Sequence, residues 1–221
     1  MVKAVVFDVD DTLYPELDYI RSGFSLLCSY LNSIGIEAKT DDMVACFTTN
    51  ASDAIKNYLY SINHYSTHLH ESLLSIHRAH IPQIKPFENI ENILIKLKNK
   101  GLILGIISDG TPYAQNNKVI GLGLDKYFDY KVYSDALGGK YCRKPCDVSF
   151  RVIANQMNLR FDEMIYIGDN CERDFYPCEH LGILGMQIAI PGGVYFGKKY
   201  KNTYENYFQL EKALFKILEA Q

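Results

Sequence analysis

The sequence contains no long apolar run, no excess of basic residues and no closely paired cysteines, and each absence excludes a class of protein. No apolar stretch approaches the roughly 20 residues that span a bilayer. The run from Val2 to Phe7 is too short for a signal sequence and ends in charge. A formal net charge of −3 provides no basic face for nucleic acid or an anionic membrane. We therefore expect a cytoplasmic protein with neither nucleic acid nor membrane as a partner.

The six cysteines are scattered along the chain, and none forms a CxxC pair. We expect them to be reduced thiols. Cys142 and Cys146 flank Lys144 and leave a metal or redox role open, although a spacing this loose favours ordinary thiols.

Short apolar runs alternate with longer amphipathic segments, which is the pattern of strands and helices in an α/β fold. The predicted strands cover residues 2–7, 102–107, 130–133, 164–167 and 186–190. The predicted helices cover residues 15–32, 41–60, 66–80, 87–100, 112–120, 148–157, 172–181 and 205–220. No comparable strand pattern interrupts residues 14–84. We therefore expect a core of residues 1–13 and 85–221, with 14–84 inserted as a small helical domain.

The first predicted strand runs directly into Asp8-Val9-Asp10-Asp11-Thr12. Alternate side chains of a strand point the same way, so Asp8 and Asp10 can face one cavity. Asp8 could attack phosphorus as a nucleophile, while Asp10 could protonate the leaving oxygen and later deprotonate water. Close carboxylates repel one another unless a cation lies between them, which implies Mg²⁺. Taken alone, the same residues are equally consistent with a polar turn.

Two later strands also end in polar residues, where an open parallel sheet places its active site. Ser108 has a hydroxyl able to hydrogen-bond a phosphate oxygen, and Asp109 and Gly110 supply nearby backbone N–H groups for phosphate as the chain turns into a helix. Lys144 supplies a cation that offsets phosphate charge. Asp169 could complete the metal site, and Asp174 could reach the metal through water or hold Lys144 in place.

In this order the residues resemble the four motifs of the haloacid dehalogenase-like hydrolase superfamily. The matching positions are Asp8-x-Asp10-x-Thr12, Ser108, Lys144 and Gly168-Asp169-x-x-x-x-Asp174. The resemblance extends from residue 3 to about residue 193, and it implies a Rossmann-like parallel sheet with an α-helical cap. It also implies that Asp8 is the nucleophile and Asp10 the acid/base. Mg²⁺ would be held by the Asp8 carboxylate, the Asp10 backbone carbonyl and Asp169.

The resemblance further implies that Ser108 and Lys144 bind the transferring phosphoryl group, while Thr12 helps to shape the turn after Asp10. Cys146 and Asp147 depart from the Asp-Pro that usually follows Lys-Pro, and the segment before Lys144 is lengthened. Lys140 is therefore a competing phosphate-binding lysine. Lys144 is favoured by the Pro that follows it and by its spacing to Phe150.

The second aspartate separates phosphoryl transfer from carbon–halogen cleavage. Halide leaves without a proton, whereas an alkoxide leaving phosphorus benefits from the acid that Asp10 provides. The superfamily's dehalogenases lack this residue. We therefore expect a phosphatase that acts on a small phosphorylated metabolite, such as a sugar phosphate or a nucleoside monophosphate. A phosphosugar mutase of the same fold and a non-catalytic domain that binds a phosphometabolite or a partner protein remain alternatives.

The inserted domain resembles the cap of the subgroup that acts on small soluble metabolites, and it is expected to exclude water and select the substrate. Five of the six histidines lie in it. His64 and His68 could share a helix face and bind a metal, although a solvated face is the preferred interpretation. Tyr14, just past the catalytic turn, is the best candidate for a tyrosine that lines the substrate pocket. The sequence does not indicate the substrate or the oligomeric state.

Overall fold

The computed structural model describes residues 1–220, which separate into two compact units. One unit comprises Met1–Pro15 together with the described residues from Lys85 onward. The other unit is Glu16–Ile84. The boundaries predicted from the sequence lie after residues 13 and 84, whereas the structure includes Tyr14 and Pro15 in the first unit.

The first unit is built on a six-stranded sheet in which every pairing is parallel. The strands, in chain order, are β1 Ala4–Phe7, β2 Ile103–Ser108, β3 Tyr130–Tyr133, β4 Met164–Gly168, β5 Leu184–Ile188 and β6 Thr203–Tyr204. Their spatial order is β3-β2-β1-β4-β5-β6. The direction of winding reverses at β1, which places a crevice beyond the carboxyl ends of β1, β2 and β4. This architecture confirms the predicted α/β fold with a parallel sheet.

The sheet is apolar because both of its faces are covered. All four residues of β1 and all five of β4 are buried. The helices of this unit are α5 Ile90–Asn99, α6 Pro112–Gly121, α7 Asp135–Gly138, α8 Val148–Met157, α9 Phe175–Leu181 and α10 Tyr207–Glu219. Phe150 of α8 and Phe175 of α9 pack with Tyr166 of β4 in one buried cluster. Helices and sheet therefore share a continuous core behind the strand ends.

The regular secondary structure of the second unit, Glu16–Ile84, consists of helices joined by short loops. It contains α1 Glu16–Ser33, α2 Thr40–Thr49, the short 3₁₀ turn Ala51–Asp53, α3 Ala54–Ser61 and α4 Thr67–Ala79. Its interior is apolar and includes Phe24, Leu27, Leu31, Met43, Leu59 and Leu73. Ser66 caps α4 by accepting a hydrogen bond from Leu69 N at 3.2 Å. Because α4 begins after His64, that residue does not share a helix face with His68.

The prediction of one helix over residues 41–60 is wrong. The chain breaks at Asn50, whose backbone is extended and whose side-chain oxygen accepts hydrogen bonds from the backbone N and the hydroxyl of Ser52. Such local side-chain bonds compete with helix formation. The two-residue strand β6 was not predicted, and β5 begins two residues earlier than predicted. Among the helices of residues 1–220, none combines the length and hydropathy needed to cross a membrane.

Candidate active site

The three strands at the centre of the sheet bring three predicted site residues to one edge. Ser108 is the last residue of β2, whereas Asp8 follows β1 and Asp169 follows β4. The hydrogen bonding between β1 and β4 continues one residue beyond β1, because Asp8 N donates to Ile167 O of β4 at 2.9 Å. The carboxyl ends of neighbouring parallel strands lie side by side, which explains why residues distant in sequence meet here.

A buried lysine joins two of the aspartates. Lys144 Nζ lies 2.6 Å from Asp8 Oδ1 and 2.6 Å from Asp174 Oδ1. It also donates to the hydroxyl of Tyr166 at 3.0 Å, and that hydroxyl donates to Asp174 Oδ1 at 3.1 Å. Burial alone would lower the pKa of Lys144, but the carboxylates of Asp174 and Asp8 outweigh it and raise that pKa. Lys144 is therefore held as an ammonium ion beside Asp8.

The structure does not bring Lys140 to the same place. Lys140 is exposed in the 3₁₀ turn Gly139–Cys142, and its ammonium lies 5.5 Å from the centre of the Tyr141 ring. Of the two candidate lysines, Lys144 is thus the one that contacts Asp8.

Three buried carboxylates lie close together and outnumber the single ammonium beside them. Within the described residues, Asp8, Asp169 and Asp174 form one group in which one carboxylate oxygen of each residue lies within 4.8 Å of the other two. Burial, with the neighbouring Asp174, raises the pKa of Asp8 to about 7 despite Lys144. Burial, with Asp174 and Asp8, raises the pKa of Asp169 to about 9. A hard divalent cation suits this all-oxygen set and would neutralise its excess negative charge.

Asp10 lies outside that carboxylate group and has its own partners. Lys118 Nζ donates to Asp10 Oδ1 at 2.8 Å and to Oδ2 at 2.7 Å. The hydroxyl of Tyr14 donates to Oδ1 at 2.5 Å. Asp11 has a positive φ of 51°, so the chain turns away immediately after Asp10. The charge of Asp10 adds to the raised pKa of Asp8, but less than burial and the charge of Asp174 do.

The turn after β2 is held by one glutamine. Gln115 of α6 accepts a hydrogen bond from Ser108 Oγ at 3.0 Å and donates to the carbonyl of Asp109 at 2.9 Å. Gly110 has a φ of 133°, and a Cβ atom there would lie 2.7 Å from Gln115 Nε2. Glycine is therefore required for this turn to close against the glutamine.

The carboxylate of Asp109 links three parts of the site. Its Oδ1 accepts from the backbone N of Lys144 at 3.1 Å, and its Oδ2 lies 3.3 Å from the guanidinium of Arg173. Arg173 Nε in turn donates to the carbonyl of Lys144 at 2.7 Å. The side chain of Asp109 thus connects the turn after β2 with Lys144 and with the loop that carries Arg173.

Thr12 and Asp174, which were predicted to support the site, are both fully buried. The carbonyl of Thr12 accepts a hydrogen bond from Tyr207, and Thr12 Oγ1 has no hydrogen-bond partner among residues 1–220. Asp174 Oδ2 accepts from Asn170 N at 3.0 Å. Asp174 therefore holds both Lys144 and the loop that follows β4.

Several polar residues of the site were not singled out from the sequence, namely Gln115, Lys118, Tyr166, Arg173 and Gln187. Gln187 in β5 is fully buried, and its amide donates to the carbonyl of Asp169 at 2.9 Å. Its Oε1 accepts from Tyr200 N at 2.8 Å and from Thr203 Oγ1 at 2.7 Å. In the sequence, Tyr166 and Gln187 could have been recognised because each is a polar residue within an otherwise apolar predicted strand, where a buried polar group needs a hydrogen-bond partner.

These features define an α/β enzyme with a carboxylate-rich site at the carboxyl edge of its sheet. The family described as haloacid dehalogenase-like hydrolase matches residues 5–186. The chain therefore belongs to the haloacid dehalogenase-like hydrolases, as its motifs predicted.

The chain is similar to two archaeal enzymes named glyceraldehyde 3-phosphate phosphatase. It is 25% identical over 197 residues to the one from Methanocaldococcus jannaschii, covering 85% of each chain. It is 26% identical over 197 residues to the one from Methanothermobacter thermautotrophicus, covering 85% of this chain and 86% of the relative. The prediction of an enzyme of the phosphatase branch is confirmed by these relatives.

A solved structure shares the fold. The hydrolase of this family from Deinococcus radiodurans, determined with bound phosphate and sodium, superposes with a TM-score of 0.68 at 18% identity. The match covers 97% of this chain and 96% of that one.

Proposed function

We propose that this chain is a Mg²⁺-dependent phosphatase that hydrolyses a small phosphorylated metabolite through an aspartyl-phosphate on Asp8. The observation that supports this most directly is the buried contact of 2.6 Å between Asp8 and Lys144. A phosphoryl group bonded to Asp8 would lie within reach of that ammonium, which offsets charge on its oxygens. Asp169 and Asp174 in the same group supply the acidic surroundings for a cation.

In the first half of the proposed reaction, a carboxylate oxygen of Asp8 attacks phosphorus while the bond from phosphorus to the leaving oxygen breaks. Asp10 gives a proton to that oxygen, and the product leaves as an alcohol. In the second half, water attacks phosphorus, Asp10 takes a proton from the water, and the bond to Asp8 breaks. Inorganic phosphate is released, and both carboxyl groups return to their starting states.

The residues present suit Mg²⁺, and Asp8 and Asp169 with the backbone carbonyl of Asp10 would hold it. When bound, the ion supplies positive charge that favours the transferring phosphoryl group. Ser108 and the backbone N–H of Asp109, at the turn held by Gln115, would donate to phosphate oxygens.

A three-carbon sugar phosphate is the proposed substrate class, with glyceraldehyde 3-phosphate as the first compound to test. Support comes from the two archaeal relatives that bear this activity in their names and align with 85% of the chain. The helical unit Glu16–Ile84 is proposed to select among substrates, as caps of this family do.

The test is hydrolysis by the purified full chain of 4-nitrophenyl phosphate and of a panel that includes glyceraldehyde 3-phosphate, with Mg²⁺ and with EDTA. We expect phosphate release only with Mg²⁺. Asp8→Asn should lower kcat by at least about 10³-fold. Asp162→Asn is the matched control, because Asp162 is an exposed aspartate that pairs with Arg160 away from the strand ends. Retained activity in the Asp8 variant would refute the nucleophile assignment.

The same panel separates the alternatives. A hexose 1-phosphate that is converted to an isomer without release of phosphate would indicate a mutase. Failure to turn over any phosphate ester would indicate a binding domain.

A further inference from the structure

Lys118 is a buried lysine whose side chain is directed at Asp10. Only 4% of Lys118 is exposed, whereas 23% of the Asp10 side chain is exposed. The ammonium donates to both carboxylate oxygens, at 2.8 and 2.7 Å. A buried ammonium is costly unless it is paired, and a pair between surface side chains contributes little. The carboxylate of Asp10 therefore supplies negative charge that offsets the cost of burying the Lys118 ammonium, which distinguishes this pair from one between surface side chains.

The helix that carries Lys118 also contacts the carboxyl end of strand β2. Helix α6 begins with Pro112 directly after the turn at Ser108. Gln115 and Lys118 are three positions apart and so share one helix face. Gln115 holds the turn after β2, while Lys118 reaches the residues after β1. One helix face thus sets the relative position of the phosphate-binding turn and of Asp10.

The two oxygens of Asp10 are held unequally. Oδ1 accepts from Tyr14 at 2.5 Å and from Lys118 at 2.8 Å, whereas Oδ2 accepts from Lys118 at 2.7 Å. The terminal torsion of an aspartate is soft and is normally set by its hydrogen-bond partners. Tyr14 and Lys118 together therefore fix the plane of the Asp10 carboxyl group.

We infer that Lys118, assisted by Tyr14, is the positioning residue of the acid/base: the two side chains fix the plane of the Asp10 carboxyl group and so direct that group at the leaving oxygen. This inference rests on the proposed phosphatase function. In this inference, Lys118 acts through the orientation of Asp10. Its loss should therefore weaken the step in which a proton is delivered and leave phosphate binding nearly unchanged.

The experiment compares two aryl phosphates of similar shape in the full chain with Mg²⁺. Phenyl phosphate has a basic leaving group that needs a proton, whereas 4-nitrophenyl phosphate has a leaving group that departs unaided. The parameter kcat/KM reports the steps up to departure of the leaving group. For Lys118→Met we expect kcat/KM to fall about 10²-fold with phenyl phosphate, which is the scale of a misplaced catalytic group. With 4-nitrophenyl phosphate the fall should be several times smaller.

The control is Lys98→Met. Lys98 Nζ contacts both oxygens of Asp129 at 2.7 and 2.8 Å, the same paired geometry far from the carboxyl ends of β1 and β2. This variant should leave both substrates unaffected. A second test is the Lys118→Met substitution in an Asp10→Asn background, where it should cause no further loss because the group it positions is absent.

Equal losses on the two substrates, or an undiminished loss in the Asp10→Asn background, would overturn the inference while leaving the phosphatase function intact. If the wild type hydrolyses neither ester, the proposed function fails and the inference fails with it. If Lys118→Met does not fold, Tyr14→Phe decides the question, because it removes one donor to Oδ1 and retains the ring. Tyr14→Phe should lower the ratio of phenyl to 4-nitrophenyl phosphate turnover several-fold, and an unchanged ratio would overturn the inference.

Discussion

Replacing Asp8 with asparagine is expected to stabilise the metal-free protein while abolishing its activity. Burial is the main reason that the pKa of Asp8 is raised to about 7; Lys144 opposes this effect, and Asp174 and Asp10 add to it. An amide removes the charge that burial penalises. Its oxygen can still accept a hydrogen bond from Lys144.

The size of the effect follows from the pKa. A rise from 3.8 to about 7 corresponds to roughly 4 kcal/mol of lost stability above pH 7, at about 1.4 kcal/mol for each tenfold change in proton affinity. Residual structure in the unfolded chain reduces this figure. We therefore expect Asp8→Asn to gain on the order of 2–4 kcal/mol in unfolding free energy.

The gain has a defined dependence on pH. The folded state binds the proton of Asp8 more tightly than the unfolded state does, so this group contributes stability only while it is protonated. That contribution falls as the pH rises from 3.8 to about 7. The advantage of the variant should therefore be small near the lower value and complete above the upper one. Urea denaturation in EDTA at a series of pH values across this range measures it.

The control for this prediction is Asp162→Asn. Asp162 is exposed, and its hydrogen bond with Arg160 lowers its pKa, which is the opposite direction. The same change of charge should give no gain there. A loss of stability in Asp8→Asn at high pH, or a gain that does not increase with pH, would show that folding does not disfavour the ionised form of the Asp8 carboxyl group.

Two further predictions concern the neighbours of Asp8. Tyr166→Phe removes the hydroxyl that joins Lys144 to Asp174 and should lower the free energy of unfolding by about 1–3 kcal/mol. Urea denaturation would measure this loss, with the exposed Tyr113→Phe as a control that loses nothing. The increase in Tm caused by Mg²⁺ should grow as the pH rises toward about 9, because protons compete for Asp169, whose pKa is raised to that value. Scanning calorimetry checks this, and an increase that is independent of pH would contradict it.

The sheet and the main site residues could be predicted because their signals are local. An apolar run that ends in Asp8, Ser108 or Asp169 shows a buried strand and the polar residue beyond it within a few positions. The pairing of Lys144 with Asp8 spans 136 positions, so the sequence indicated the lysine only through its motif.

The positions that escaped prediction depend on tertiary contacts. Lys118 reaches Asp10 across 108 positions, and nothing in the local pattern of α6 distinguishes a buried lysine from an exposed one. Strand β6 has two residues and is specified by its pairing with β5 rather than by its own composition. The break at Asn50 had a local cause, since asparagine favours turns, but the apolar periodicity on both sides outweighed it.

The position of β1 in the sheet has a consequence for the order in which the protein is made. β1 pairs with β2 on one side and with β4 on the other, so Ala4 lies between Ile103 and Met164. Both partners are synthesised long after β1. The segment that ends in Asp8 must therefore wait as an unpaired apolar strand during translation, and such strands are prone to aggregation. Asp8 is among the first residues to be synthesised, yet its site can form only when β4 has emerged from the ribosome.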